Sequence, residues 1–244
     1  MNDKVIVIAG ASAGIGAALA DTLARKGARL VLAARRKGQL ADLASRCGAG
    51  TVPMVADMTR REDVKKVVAE TVARFGHIDV WINNVGRGIS RLPSELTDED
   101  IDLMMLINVK SALYGMQEVL PHFKSRGQGQ VINISSMLGR VPFALVRSAY
   151  SASKHFLNSL TANFRTEVQA THPGIQITLI SPGVVATDFG LNALYGGVDS
   201  RTIPGAQSAE EVAEVIAGAI ESREADVYTR SDGREMVVKY YAGE

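Results

Sequence analysis

The sequence predicts an α/β fold of the Rossmann type: a doubly wound, seven-stranded parallel sheet with helices on both faces, in a single domain. Three observations lead there. Short β-branched runs alternate with longer stretches of helical period along the whole chain. Most of those runs are apolar over nearly their full length, as strands buried on both faces must be. A glycine-rich turn joins the first run to the first helical stretch, where this architecture holds its ligands.

The expected strands are VIVIA (5–9), RLVLAA (29–34), TVPMVA (51–56), IDVWIN (78–83), QVINIS (130–135), IQITLI (175–180) and ADVYT (225–229). Helical stretches lie between them at about 15–26, 38–46, 60–75, 97–124, 148–171 and 208–222. Strict alternation of this kind implies right-handed crossovers and a parallel sheet. Thr97 and Ser208 each precede an acidic residue three positions on, the pattern of a capping box, and so mark two helix starts. The segment FGLNALYGGVDSRTIPGAQ (189–207) breaks the alternation. A loop of that length beginning at the C-terminal end of a strand is expected to be a substrate lid, with Phe189, Leu191, Leu194 and Tyr195 as a largely apolar wall.

Composition narrows the class. The 244 residues are 46% hydrophobic and 22% charged, as in an ordinary globular protein. A formal net charge of +1 gives no global field that would recruit nucleic acid or an anionic membrane. The apolar run near the first residue is too short for a signal or membrane-spanning segment. Cys47 is the single cysteine, which fits a reducing compartment, and a cytoplasmic location is expected. No His and carboxylate spacing argues for a metal centre. His77, His122 and His172 sit at element ends and are expected to face solvent, while His155 projects away from its neighbour Lys154. Met104 and Met105 are expected in a core or an interface.

The turn AGASAGIG (9–16) sets Gly10, Gly14 and Gly16 where backbone turns tightly. The amides of Ser12, Ala13 and Ile15 are then free to meet a phosphate at a helix N-terminus. With a strand before it and a helix after it, the turn predicts dinucleotide binding. The second strand ends in LAARRKG, with Ala34 where an NAD-binding fold carries an acid, and Arg35 and Arg36 directly after it. An acid there would repel a 2′-phosphate, whereas a guanidinium pairs with it, so NADP is the expected cofactor.

Tyr150 and Lys154 lie one helical turn apart in YSASK and share a face. Taken with the glycine turn, NNVG (83–86), NISS (133–136) and SPGVVAT (181–187), in that order, they make the sequence resemble the short-chain dehydrogenase/reductase family, in its compact single-domain branch. The resemblance covers essentially the whole chain. It implies that Asn108, Ser136, Tyr150 and Lys154 form the catalytic set, with Asn108 holding a proton relay and Ser136 bonding the reacting oxygen. It also implies that Asp57 and Met58 border the adenine, that Asn84 and Gly86 flank the cofactor, and that Pro182, Gly183, Val184 and Thr187 run along the nicotinamide. Lys154 would bind the ribose and favour the Tyr150 phenolate. Such a protein transfers hydride between the cofactor and a carbonyl or secondary alcohol, and family members often assemble as homodimers or homotetramers. The competing reading is a non-catalytic NADP-binding sensor or scaffold.

The sequence departs from the family pattern in three ways. Ala9 and Val85 replace the usual threonine and alanine, and Ser136 and Tyr150 are one residue further apart than in many members. That extra residue falls in GRVPFALVR (139–147), which together with 189–207 suggests an apolar substrate pocket. Arg140, Arg147 and Arg201 are candidates for a basic entrance patch.

Overall fold

The computed structural model describes residues 1–243. They form a seven-stranded sheet of order β3-β2-β1-β4-β5-β6-β7, parallel at each pairing. The strands are β1 (Val5–Ala9), β2 (Arg29–Ala34), β3 (Thr51–Val55), β4 (Val80–Asn83), β5 (Gly129–Ile134), β6 (Ile175–Ser181) and β7 (Asp226–Tyr228). Helices α1 (Gly14–Arg25), α2 (Lys37–Cys47), α3 (Arg61–Phe75), α4 (Asp98–Met105), α5 (Ser111–Arg126), α6 (Ser148–Thr171), α7 (Ala209–Ser222) and α8 (Gly233–Ala242) complete the fold. The strand order reverses between β1 and β4, which opens a crevice at their C-terminal ends.

Each face of the sheet packs its own core. On one side Ile6, Ile8, Leu30, Leu32 and Ile132 meet Leu19 and Leu23 of α1 and Val212 and Ile216 of α7. On the other, Val7, Val31, Trp81 and Val131 meet Val64 of α3, Phe123 of α5 and Phe164 of α6. Both capping boxes form as the sequence predicts, Thr97 with Asp100 and Ser208 with Glu211.

Four features differ from expectation. The stretch 97–124 is not one helix: α4 and α5 are separated by a π-helical turn, Leu106–Lys110. The hydrophobic period is continuous through it, so the extra backbone residue left no mark in the pattern. Helix α8 has no counterpart among the expected elements, since its exposed Val238, Tyr240 and Tyr241 give it no clean amphipathic stripe. Strand β3 is an edge strand with alternating exposure, which is why it tolerates Pro53. His122 is part-buried, and its Nε2 accepts the Ile78 amide at 3.0 Å; burial lowers its pKa, so neutral imidazole is the form that fits.

A buried polar chain ties β4 and β5 to the helices that carry the site. Trp81 Nε1 donates to Asn83 Oδ1 (2.7 Å), and Asn83 Nδ2 donates to Asn133 Oδ1 (2.8 Å) and the Ala112 carbonyl (3.2 Å). Asn133 Nδ2 then donates to Thr161 Oγ1 of α6 (2.9 Å). Gly115 of α5 permits this closeness, for a Cβ there would lie 2.2 Å from Asn83 Oδ1. Asn83→Ala strands the Trp81 and Asn133 groups without partners. The expected loss is about 2–5 kcal/mol, read as a lower urea midpoint at unchanged slope.

Candidate active site

The glycine turn is held by close backbone approach. Gly10 has φ +92°, and a Cβ there would lie 2.9 Å from the Val85 amide. At Gly16 a Cβ would stand 2.2 Å from the Gly10 carbonyl and 2.7 Å from Asn84 Nδ2, which itself donates to Gly10 O at 2.9 Å. Asn84 thus acts as a strut that fixes the turn against the end of β4. Helix α1 begins at Gly14 with no side-chain cap and no acid in its first turn, so its free amides suit an anion. Thr187 closes the opposite side, 3.3 Å from where a Gly14 Cβ would be.

At the end of β2, Arg36 donates through Nε (3.1 Å) and Nη2 (2.9 Å) to Ser12 Oγ inside the turn. Arg35 stands toward Asp57. Burial raises the Asp57 carboxyl, but bonds from Thr59 and the charges of Arg35 and Arg60 outweigh it and hold the group below its usual range. The Met58 side chain packs in the core with Val64 and Val67. Of the segment after β6, Pro182 O accepts the Met137 amide (2.7 Å), while Gly183 N donates to Thr229 Oγ1 (3.4 Å) and Val184 remains exposed.

The four side chains expected to carry chemistry converge at the C-terminal ends of β4 and β5. Asn108 is fully buried in the π turn. Its Oδ1 accepts the Arg87 amide (2.8 Å), and its Nδ2 donates to Arg87 O (3.0 Å) and Ser153 Oγ (3.1 Å). A Cβ on Gly86 would lie 3.4 Å from Asn108 Oδ1 and 3.6 Å from Lys154 Nζ, so this glycine sits between them. Lys154 is 3% exposed and donates to the Ile134 carbonyl at 2.8 Å; burial alone brings its pKa down to about 8. Its ammonium lies 5.8 Å from the centroid of the Tyr150 ring. Burial pushes the Tyr150 phenol up to about 12, opposed by the Ser136 hydroxyl and by the charge of Arg147. Ser135 is engaged elsewhere, donating to Asn158, which separates the two serines.

Segment 189–207 covers this site. The Phe189 ring meets Tyr150 with centroids 5.4 Å apart, and Leu194 packs with Ile89, Met104 and Tyr150. Backbone bonds Leu194 N to Gly88 O and Ser90 N to Leu194 O, each 2.9 Å, stitch it to the loop after β4. Tyr195 and Leu191 do not join the wall. Tyr195 is an anchor instead: held at φ +64°, it donates to Asp100 Oδ1 (2.9 Å) and accepts from Arg91 (2.8 Å). The VPFALV stretch is also no part of the pocket as expected, because Phe143 and Leu145 are exposed and the Phe143 ring meets Tyr240 of α8. Nor is there a basic entrance patch of three arginines. Arg140 pairs with Asp226, and Arg201 with Asp188 and Asp199, leaving Arg147.

A family model described as short chain dehydrogenase matches residues 4–194. The chain belongs to the short-chain dehydrogenase family. An uncharacterized oxidoreductase of Staphylococcus saprophyticus is 37% identical over 202 residues, covering 80% of this chain and 84% of that protein. Among solved structures, a short-chain dehydrogenase/reductase of Burkholderia phymatum in complex with NAD superposes with a TM-score of 0.89 at 23% identity, covering 99% of this chain and 94% of the other. An alcohol dehydrogenase of the archaeon Thermococcus sibiricus, complexed with 5-hydroxy-NADP, gives 0.79 at 27% identity over 93% and 94%. This short-chain dehydrogenase is an oxidoreductase by family. Among its described residues, no helix is long and apolar enough to cross a membrane.

Sequence reading missed Ser153, which orients Asn108, and Asn158, which occupies Ser135. Both lie in YSASKHFLN at helical spacing from Tyr150, which was the available signal.

The buried lysine fixes a pH dependence. Folded Lys154 loses its proton near pH 8, whereas in the unfolded chain it does so near 10.4. Between these values the unfolded state binds more protons, so stability rises with pH, by up to about 1.4 kcal/mol per unit. Urea unfolding at pH 8–10 without cofactor is expected to show this rise and to lose that contribution in Lys154→Met.

Proposed function

We propose that this short-chain dehydrogenase is an NADP(H)-dependent carbonyl reductase or alcohol dehydrogenase in which Tyr150 is the general acid/base. The observation that carries the reading is one connected cluster: Asn108 and Lys154 meet at the unsubstituted backbone of Gly86, the Lys154 ammonium lies 5.8 Å from the Tyr150 ring, and Ser136 acts on the Tyr150 phenol. A bound nicotinamide dinucleotide would give or accept the hydride. Gly10, Ser12, Ala13, Gly14, Ile15 and Gly16 would hold its pyrophosphate, Asp57 and Met58 would border the adenine, and Asn84, Gly86, Pro182, Gly183, Val184 and Thr187 would line its remaining length. The close contacts of Gly10 and Gly16 and the uncapped start of α1 support that fit.

Ser136 bonds and orients the substrate oxygen, on which negative charge grows as a carbonyl is reduced. Tyr150 gives that oxygen its proton, or removes it in the oxidative direction. Lys154 favours the phenolate through its charge and is placed by sequence to reach the ribose. Asn108 fixes the backbone of Arg87 through its amide and carbonyl, which keeps the loop under the substrate in register. Segment 189–207 acts as a lid, with Phe189 and Leu194 excluding water, and the pocket it closes favours a largely apolar carbonyl or alcohol. A homodimer or homotetramer in the cytoplasm completes the reading; Phe156, half exposed on α6, supports assembly through that helix.

NADP over NAD rests on this chain's own residues. Ala34 removes the acid, Arg36 is tethered to Ser12 of the phosphate turn, and Arg35 adds positive charge beside it.

Oxidation of NADPH with a panel of ketones and diketones tests the activity. Tyr150→Phe is expected to lower turnover about 10²–10⁴-fold with NADPH binding preserved; full activity in that variant contradicts the assignment. Arg35→Asp and Arg36→Asp are each expected to weaken NADPH and spare NADH in fluorescence titrations. Equal affinity of the unmodified protein for both cofactors would refute the NADP preference.

A further inference from the structure

We propose that Arg147 is a positioning residue for Tyr150: seated in a slot between Gly88 and Gly197, its guanidinium is a permanent positive charge against which the phenolate forms. The inference deepens the acid/base reading of Tyr150 and rests on it.

The slot is built by two missing side chains. A Cβ at Gly88 would lie 2.7 Å from Arg147 Nη1, and one at Gly197 would lie 2.6 Å from Nη2. Nη1 donates to the Ile89 carbonyl at 3.2 Å. Gly88 belongs to the loop after β4 and Gly197 to the covering segment, so the guanidinium touches both. The arginine is the N-cap residue of α6, three before Tyr150. The Gly88 Cβ position that lies 2.7 Å from its Nη1 is also 3.2 Å from Phe189 Cε1, and that ring meets the Tyr150 ring with centroids 5.4 Å apart, so the guanidinium and the phenol pack against the same ring.

Its charge is not neutralised. Neighbouring Arg91, Arg140 and Arg201 each meet a carboxylate, whereas among the described residues Arg147 meets none. Burial lowers its pKa while Tyr150 raises it, and Arg147 in turn opposes the burial that holds the phenol high. The other groups packed around Tyr150 are few. Helix α6 offers Lys154, the 3₁₀ turn after β5 offers the neutral Ser136, and α4 and the covering segment offer Met104, Phe189 and Leu194. Arg87, the other cation of the loop after β4, is exposed and turned to the Asn192 carbonyl.

Only two cations therefore bear on the phenol, and they behave differently. Without cofactor, Lys154 sheds its proton near pH 8, so its charge fades over the range in which a tyrosine base must ionise. A guanidinium stays charged throughout. The slot also makes the charge conditional on the covering segment, since Gly197 forms one of its walls. Displacement of that segment would expose the guanidinium to water and screen it.

The test is the ionisation of Tyr150, followed by NMR of protein carrying tyrosine labelled with ¹³C at Cζ, with saturating NADP⁺. Tyr150→Phe identifies the resonance. In Arg147→Gln the titration midpoint is expected to rise by about one pH unit, the low end of the range for an adjacent charge, which is tenfold less phenolate below it. Arg147→Lys is expected to stay near the unmodified value. Arg147→Met, which keeps the aliphatic stem, is the second neutral variant should the glutamine fail to fold. An unchanged midpoint in the neutral variants, or a shift in Arg147→Lys as large as theirs, overturns the proposal. Wild-type turnover in Tyr150→Phe would instead overturn the acid/base reading, and the titration would still decide the role of Arg147.

Discussion

The site depends on an ammonium group kept almost dry. Lys154 is 3% exposed, and its hydrogen-bond acceptor among the described residues is one backbone carbonyl, that of Ile134 at the end of β5. Burying a cation with one neutral acceptor is costly, and the lowered pKa records that cost. The sheet supplies the opposing stability, because β4 and β5 are buried on both faces and locked to α5 and α6 through Trp81, Asn83, Asn133 and Thr161. That rigid sheet centre lets Lys154, Tyr150 and Ser136 hold their geometry in a low-dielectric setting, where each charge acts more strongly than in water.

The glycine turn and the cluster of Asn108, Tyr150 and Lys154 are joined by the loop after β4. Asn84 braces the glycine turn on one side, while Gly86 lies between Asn108 and Lys154 on the other. Two residues of a single short loop thereby set the distance between the glycine turn and the Asn108–Lys154 pair. The π turn has a matching purpose. By carrying one extra residue between α4 and α5, it turns Asn108 inward, where it satisfies both the amide and the carbonyl of Arg87.

The segment over the site is tied down by polar anchors and packed by apolar ones. Tyr195, held in the left-handed region, joins Arg91 to the buried Asp100 at the start of α4. Phe189 and Leu194 press on Tyr150 and its neighbours. Strained backbone at an anchor of this kind persists only where surrounding bonds over-determine it. Here they come from both the α4 cap and the loop after β4.

By itself the sequence determined the alternating α/β architecture, the strand and helix order, the glycine turn and the pairing of Tyr150 with Lys154. These are local properties: hydrophobic period, glycine spacing and capping residues act over a turn or two of chain. Tertiary structure alone decided the rest. It divided 97–124 at the π turn, turned Phe143 away from the pocket, made Tyr195 an anchor and paired Arg140 with Asp226 far along the chain. It also left Arg147 charged beside Tyr150, because Gly88 and Gly197, more than a hundred residues apart, meet there to make room for it. Which cation keeps its charge depends on partners that only folding brings into reach.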